Sequence, residues 1–380
     1  MSGLGTRLDD LVRRSVIGVG PYVPGAGARE LKARTGRTDL IRLNWNENLE
    51  GPLDGVLEAV AADLPGSVWA YPEEAYEDFR RAVAEWTGAC AKQVIPGHGI
   101  QALTLSLVAA TVEPGDRVVV PRPTYGLYAS ACGVAGAEVI RVDADPDTLA
   151  LDLESLASTA ARTSAKLVFV CDPNNPTGLR ISAPEWEAFL EALPDRCLAV
   201  VDEAYADYME PHERLDRLAA IDSGRPVVVL RTFSKIFGLA GLRLGYMLVH
   251  ESLAPLLHAV QEPFNVNCAA LAAGQASLER VDRLPARRRR AQLARARLTA
   301  PLAAAGITTF ESHASFVLAR VGGDDVAICE ALAHEGLLLR AGSEFALPGH
   351  VRITLGDVEL MDRVGAALAR VAAAHRDRQH

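Results

Sequence analysis

Four short segments carry side chains whose chemistry is complementary. TFSKIFGLAGLRLGY, residues 232 to 246, sets Ser234 and Lys235 ahead of two glycines and Arg243. A lysine amine attacks a carbonyl carbon once its surroundings have lowered its pKa. A serine hydroxyl and an arginine fork can share one anion, and Gly238 and Gly241 let the backbone approach it closely. FVCDPNNPTG brings Asn174 and Asn175 to a Pro-Thr-Gly turn, which either presents a side-chain amide or is simply a turn. AVVDEAYADY supplies Asp202, Glu203 and Tyr205. A carboxylate there is expensive to bury unless a cation or donor meets it, although helix capping accounts for the aspartate equally well. VIPGHGIQALTLSLVAA reads as a strand, a Gly-x-Gly turn and a helix whose first amides point at an anion.

These segments need elements to position them. The runs DRVVVP, AEVIRV, AKLVFVC, CLAVVDEA and RPVVVLRT are rich in β-branched residues and alternate with helical periodicity. Such alternation predicts βα units around a mostly parallel sheet buried on both faces. YEDFRRAVAEWTG spaces Tyr76, Phe79, Val83 and Trp86 by three and four residues, which predicts a helix stopped by Gly88. The four chemical segments then fall at strand ends, where open α/β sheets bind ligands. Beyond about residue 270 the texture changes to a long Ala/Arg helix followed by α+β segments, with no internal repeat. The run Arg287 to Arg290 reads as a solvated helix face.

Bulk properties narrow the ligand class. A net charge of −9 argues against a general polyanion binder and leaves small molecules as the expected partners, with no nucleic acid. Six cysteines without a C-x-x-C pair suggest neither a zinc site nor a disulfide framework, and fit a reducing cytoplasm. No signal peptide and no run of eighteen uncharged apolar residues is visible, so no membrane association is expected.

Gly97-x-Gly99-x-x-Ala102 also matches a loose dinucleotide pattern, which raises an NAD-dependent dehydrogenase as a rival. That reading requires an acidic residue at the end of the next strand, yet DRVVVPRPTY ends in Pro121 and Arg122. Pyridoxal 5'-phosphate fits better. Its aldehyde needs a lysine, its pyridinium nitrogen a carboxylate, and its phosphate a helix N-terminus with cations.

The order DPNNPTG, DEAYADY, TFSKIFGLAGLRLGY and HVRITLG resembles the fold-type I aminotransferases, most closely their histidinol-phosphate aminotransferase branch. The likeness runs from PYVPG through RLNWNEN, AYPEEAYEDFRRAVAEWTG and PRPTYGLY to VRITLG. It implies an α/β three-layer sandwich with a mostly parallel central sheet, plus a smaller α+β domain. Residues 1–45 would form an N-terminal arm and part of the small domain, 46–268 the large cofactor-binding domain and 269–380 the small C-terminal domain. It implies a transaminase acting on an amine and a 2-oxo acid, with Lys235 as Schiff-base former and proton shuttle.

Carried over by residue, Asp202 would pair with the ring nitrogen, and Asn175 and Tyr205 would bond the phenolic oxygen. Tyr125 would stack on the ring, while Ser234, Arg243 and the Gly99 and Ile100 amides would hold the phosphate. Tyr71 would reach the phosphate of a neighbouring subunit, which implies a homodimer. Arg352 would clamp an α-carboxylate, with Arg340 and Tyr22 at the distal substrate end. The chain departs from the branch at Ile100, Gln101, Leu49 and Ser315. Catalytic positions match while rim positions differ, so the amine stays open, as does decarboxylation of a phosphorylated amino acid or a specialised biosynthetic reaction. A ligand-sensing regulator would carry a DNA-binding domain ahead of RLNWNEN, where no helix-turn-helix pattern occurs.

Overall fold

The computed structural model describes residues 11–17, 19, 28–73 and 75–377. The short strand β1 (Ile41–Arg42) is followed by seven strands that form the central sheet. These are β2 (Val94–Gly97), β3 (Arg117–Arg122), β4 (Glu138–Asp143), β5 (Leu167–Cys171), β6 (Leu198–Asp202), β7 (Val227–Thr232) and β8 (Gly245–Leu248). Their spatial order is β2-β8-β7-β6-β5-β3-β4. Strand β8 runs antiparallel to both neighbours, and the other pairs are parallel.

Period-2 alternation sends the strand residues to two separate cores. Phe169, Val200, Val228 and Leu230 pack with Leu103 and Leu107 of helix Gly99–Thr111 and with Tyr128 of helix Leu127–Ala135. Val168, Val170, Val201 and Val229 pack on the opposite face with Phe79, Trp186 and Phe189. Helices therefore cover both faces of the sheet, and near-continuous apolar runs are what this geometry demands. The helix expected around Phe79 spans Glu77–Thr87 and ends at Gly88 in a left-handed cap.

A second sheet follows, made of β9 (Thr308–Thr309), β10 (Phe316–Arg320), β12 (Arg340–Ala341) and β13 (His350–Thr354), in the order β12-β13-β10-β9. Its core joins Val317 and Ile353 to Leu298 and Leu302 of helix Leu284–Ala304 and to Val364 and Leu368 of helix Val358–Asp377. Strand β1 pairs in parallel with β11 (Leu337–Leu338), which ties the segment after residue 40 to this second layer.

The arginine run departs from the solvated face read from sequence. Arg287 and Arg288 are buried, whereas Arg289 and Arg290 are exposed. Four consecutive helical residues turn through about 100° each, so they cannot share one face. Arg287 donates to the Ile236 carbonyl at 2.7 Å and the Pro52 carbonyl at 2.8 Å, pinning this helix to the segment after Lys235.

Register fixes the chemical residues. Cys171, the last residue of β5, lies opposite Asp202, the last of β6, and Asp202 lies opposite Leu230 on β7. The loops bearing Asn175 and Lys235 thus flank Asp202 at one sheet edge. A buried network supports that edge. Arg217 meets Asp172 at 2.5 Å and Glu203 at 3.5 Å while its guanidinium lies 3.7 Å from the Trp186 ring centroid, and Arg231 meets Glu203 at 2.6 Å. Buried carboxylates persist there because each has a guanidinium partner.

Candidate active site

The strand ends open into a cavity of about 690 Å³. The chain has four lysines, and three of them, Lys32, Lys92 and Lys166, are exposed. Lys235 lines the cavity. Its Nζ donates to the Asn46 carbonyl at 3.0 Å and the Trp45 carbonyl at 3.4 Å. Burial lowers its pKa to about 8, and the nearby Arg352 and Arg243 cations add to that, against the pull of Glu47 and Asp202.

Asp202 is buried on the cavity floor. Its Oδ2 accepts from the Tyr128 hydroxyl at 2.5 Å and its Oδ1 from the Ala204 amide at 2.9 Å. Burial raises its pKa to about 6, and these two hydrogen bonds oppose the rise. Tyr128 stacks on Phe169 at 4.7 Å and meets Tyr125 edge-on at 5.6 Å, so one buried ring supports both the carboxylate and the aromatic cavity wall.

An anion cradle forms where helix Gly99–Thr111 begins. His98 at the N-cap makes no side-chain cap bond, so the first amides keep their donors for another acceptor. Gly99 has φ of +78°, and a Cβ there would stand 2.7 Å from Arg243 Nη2. The arginine therefore lies directly over the helix start. Gly245 allows that helix to approach the sheet, since its own Cβ would sit 2.7 Å from the Arg231 carbonyl and 3.2 Å from Gly99 Cα. Arg243 Nη1 donates to the Ala240 carbonyl at 3.0 Å and reaches Ser234 Oγ at 3.5 Å. Ile100 and Gln101 also line the cavity.

The far wall comes from the second sheet. Arg352 donates to Asn175 Oδ1 at 2.6 Å and to the Asn44 carbonyl at 2.6 Å. Arg340 pairs with Glu344 at 2.8 Å. Tyr205 is buried, and its hydroxyl accepts from Asn46 Nδ2 at 2.9 Å. Asn46 adopts φ of +56°, and both its backbone amide and its Oδ1 meet Thr354 Oγ1 at 3.1 Å.

Asn175, Asp202, Tyr205, Ser234, Lys235, Arg243, Ile100, Tyr125, Arg340 and Arg352 thus line one cavity, with Gly99 beneath Arg243. Tyr71 lies outside it, highly exposed and stacked on Phe264 at 4.8 Å. Tyr22 falls outside the described residues. Tyr128, Asn46, Glu344 and Phe345 were not singled out from sequence. The signal for Tyr128 was its position three residues after Tyr125, which brings both to one side of a helix start.

The model of the family described as aminotransferase class I and II matches residues 38–368. The chain belongs to this family. It is 37% identical to the histidinol-phosphate aminotransferase of Symbiobacterium thermophilum, over 94% of this chain and 97% of that one. It is 35% identical to histidinol-phosphate aminotransferase 1 of Nitrosococcus oceani, over 92% and 93% of the two chains. Its fold matches the crystal structure of histidinol-phosphate aminotransferase from Sinorhizobium meliloti in complex with pyridoxal-5'-phosphate, with a TM-score of 0.89, 28% identity and coverage of 98% and 99%. The protein is a pyridoxal-phosphate-dependent aminotransferase.

The residues present fit that cofactor. An amine of lowered pKa, a buried carboxylate and a glycine-floored anion cradle all open on one cavity. As pH falls below about 8 the Lys235 amine is increasingly protonated, and only the remaining free-amine fraction has a lone pair to attack an aldehyde. Capture of pyridoxal phosphate by the cofactor-free protein, followed by absorbance, is expected to accelerate through a midpoint near pH 8. A midpoint near 10.5, the value for an ordinary lysine, would contradict the role of burial and the flanking arginines.

Proposed function

We propose that this cavity exchanges an amino group between an amine of the histidinol-phosphate type and a 2-oxo acid. The observation that carries the reading is the convergence of Lys235, Asp202 and the Arg243–Gly99 cradle on one cavity. The names of the relatives support the amine, and Arg340 on the far wall suits its anionic end.

Bound pyridoxal phosphate supplies an aldehyde for the amine and a ring that takes up the electron pair left when the Cα–H bond breaks. Lys235 Nζ takes the proton from the substrate Cα, and its lowered pKa suits a base working near neutrality. Asp202 holds a proton at the ring nitrogen, and Tyr128 fixes its carboxylate in place. Tyr205 and the Asn175 amide orient the phenolic oxygen. Tyr125 would pack against the ring face. Ser234, Arg243 and the Gly99 and Ile100 amides would hold the phosphate. Arg352 receives the carboxylate of the 2-oxo acid, while Arg340 receives the distal end of the amine.

The cofactor-binding domain starts at residue 46 and extends past the boundary read at residue 268, because Ala270, Ala273 and Leu278 of helix Cys268–Leu278 share a core with Phe79 and Trp186, and the smaller domain follows that helix. Six unpaired cysteines support a cytoplasmic location. The exposed Tyr71 and its neighbour Trp69 support a homodimer in which Tyr71 reaches the phosphate of the other subunit.

Two measurements test this. Mixed with histidinol phosphate, the cofactor-loaded protein is expected to lose its long-wavelength absorbance as the amine form of the cofactor accumulates. Conversion by unphosphorylated amines alone would overturn the proposed amine, and release of carbon dioxide from a phosphorylated amino acid would replace the reaction. Inactive Lys235→Ala and impaired Tyr71→Ala subunits, unfolded and refolded together, are expected to regain part of the activity in mixed dimers. Recovery no greater than the sum of the separate proteins would contradict a shared site.

A further inference from the structure

The distal wall of the cavity holds two cations placed side by side. Arg340 on β12 and Arg352 on β13 are directly opposed in the antiparallel register. Like charges so placed repel. Both guanidinium groups lie near the same ring, 5.3 and 4.9 Å from the centroid of Phe345. A carboxylate stands beside this crowding. Glu344 precedes Phe345 in the short 3-10 helix Gly342–Phe345, and its Oε2 lies 2.8 Å from Arg340 Nη2.

The two members of this ion pair differ in freedom. The Arg340 side chain is 8% exposed, whereas that of Glu344 is 38% exposed. The backbone beneath Glu344 is anchored. Asp325 accepts from the Ser343 amide at 2.8 Å, the Ser343 hydroxyl at 2.8 Å and the Gly349 amide at 3.0 Å. The loop is therefore held while the Glu344 carboxylate, on its own rotatable side chain, can turn toward solvent. Arg352 is held differently, by the neutral acceptors Asn175 Oδ1 and the Asn44 carbonyl. The wall thus offers one cation that donates to neutral acceptors and one that is paired with the Glu344 carboxylate.

We infer that Glu344 is a specificity-determining residue, a resident counterion that competes with the distal anionic group of the substrate for Arg340. The inference rests on reading this cavity as the substrate site. A ligand with a single carboxylate is taken by Arg352 and leaves the Arg340–Glu344 pair intact. A ligand with a second anionic group must displace Glu344, and only an anion able to replace that charge-assisted bond binds well.

The test is calorimetric titration of the cofactor-loaded protein with glutarate, a dicarboxylate lacking an amine, and with butyrate, its monocarboxylate counterpart. Glu344→Gln removes the competing charge and keeps the side-chain shape. The expected result is a glutarate dissociation constant about fivefold lower in Glu344→Gln, with butyrate changed by less than about twofold, the upper size of effect for an ion pair whose carboxylate reaches solvent. In the double variant Arg340→Gln/Glu344→Gln the gain for glutarate is expected to vanish, because its recipient is gone. Unchanged or weaker glutarate binding in Glu344→Gln would overturn the inference, as would an equal gain for butyrate or a gain that survives loss of Arg340. Failure of every form to bind glutarate would overturn the substrate reading and the inference with it. Normal melting of Glu344→Gln, whose side chain reaches solvent, excludes misfolding as the cause of an unchanged result.

Discussion

A carboxylate is buried at the end of β6, and much of the site is arranged around the cost of keeping it there. Removing Asp202 from water penalises its charged form, which is why its pKa is pushed up to about 6. Two donors offset part of that penalty, the Tyr128 hydroxyl and the Ala204 amide. A protonated ring nitrogen would complete the compensation with a positive partner, so the site holds an electrostatic demand that bound pyridoxal phosphate would answer. Lys235 carries the complementary demand. Burial and two arginines disfavour its ammonium form and bring the amine toward reactivity near neutral pH.

The same site couples the two layers of the molecule. Asn46, in the segment leading from β1, contacts Lys235 through its carbonyl, Tyr205 through Nδ2 and Thr354 of β13 through its amide and Oδ1. Arg352 of β13 reaches back to Asn175 beyond β5 and to Asn44. The second sheet is therefore part of the cavity wall, and the pairing of β1 with β11 holds the Asn44–Asn46 segment in register with it. The positive φ of Asn46 suits this junction, because asparagine tolerates the left-handed region better than most residues.

What was legible in the sequence was local. Asn175, Asp202 and Lys235 follow apolar β-branched runs, and a strand end in an open α/β sheet exposes whatever comes next. The parallel strands β3 to β7 were visible for the same reason. Strand β8 was not, because GYML overlaps the end of a segment whose glycines and arginine read as an anion site, and only the sheet reveals that Gly245 also permits helix approach. Tyr128 and Asp202 lie 74 residues apart and Asn46 and Tyr205 lie 159 apart, so their bonds depend on tertiary placement that no spacing encodes. The burial of Arg287 and Arg288 was hidden likewise, since a charge run looks solvated until the acceptors Ile236 and Pro52 are brought beneath it.

The central claim is that the Lys235 amine is the group that captures the cofactor aldehyde. Borohydride reduction of the protein loaded with pyridoxal phosphate, followed by mass spectrometry of its peptides, tests this directly, because only four lysines compete. The expected result is a pyridoxyl adduct at Lys235 alone, with Lys32, Lys92 and Lys166 unmodified. An unmodified Lys235, or an adduct spread among the exposed lysines, would contradict the account.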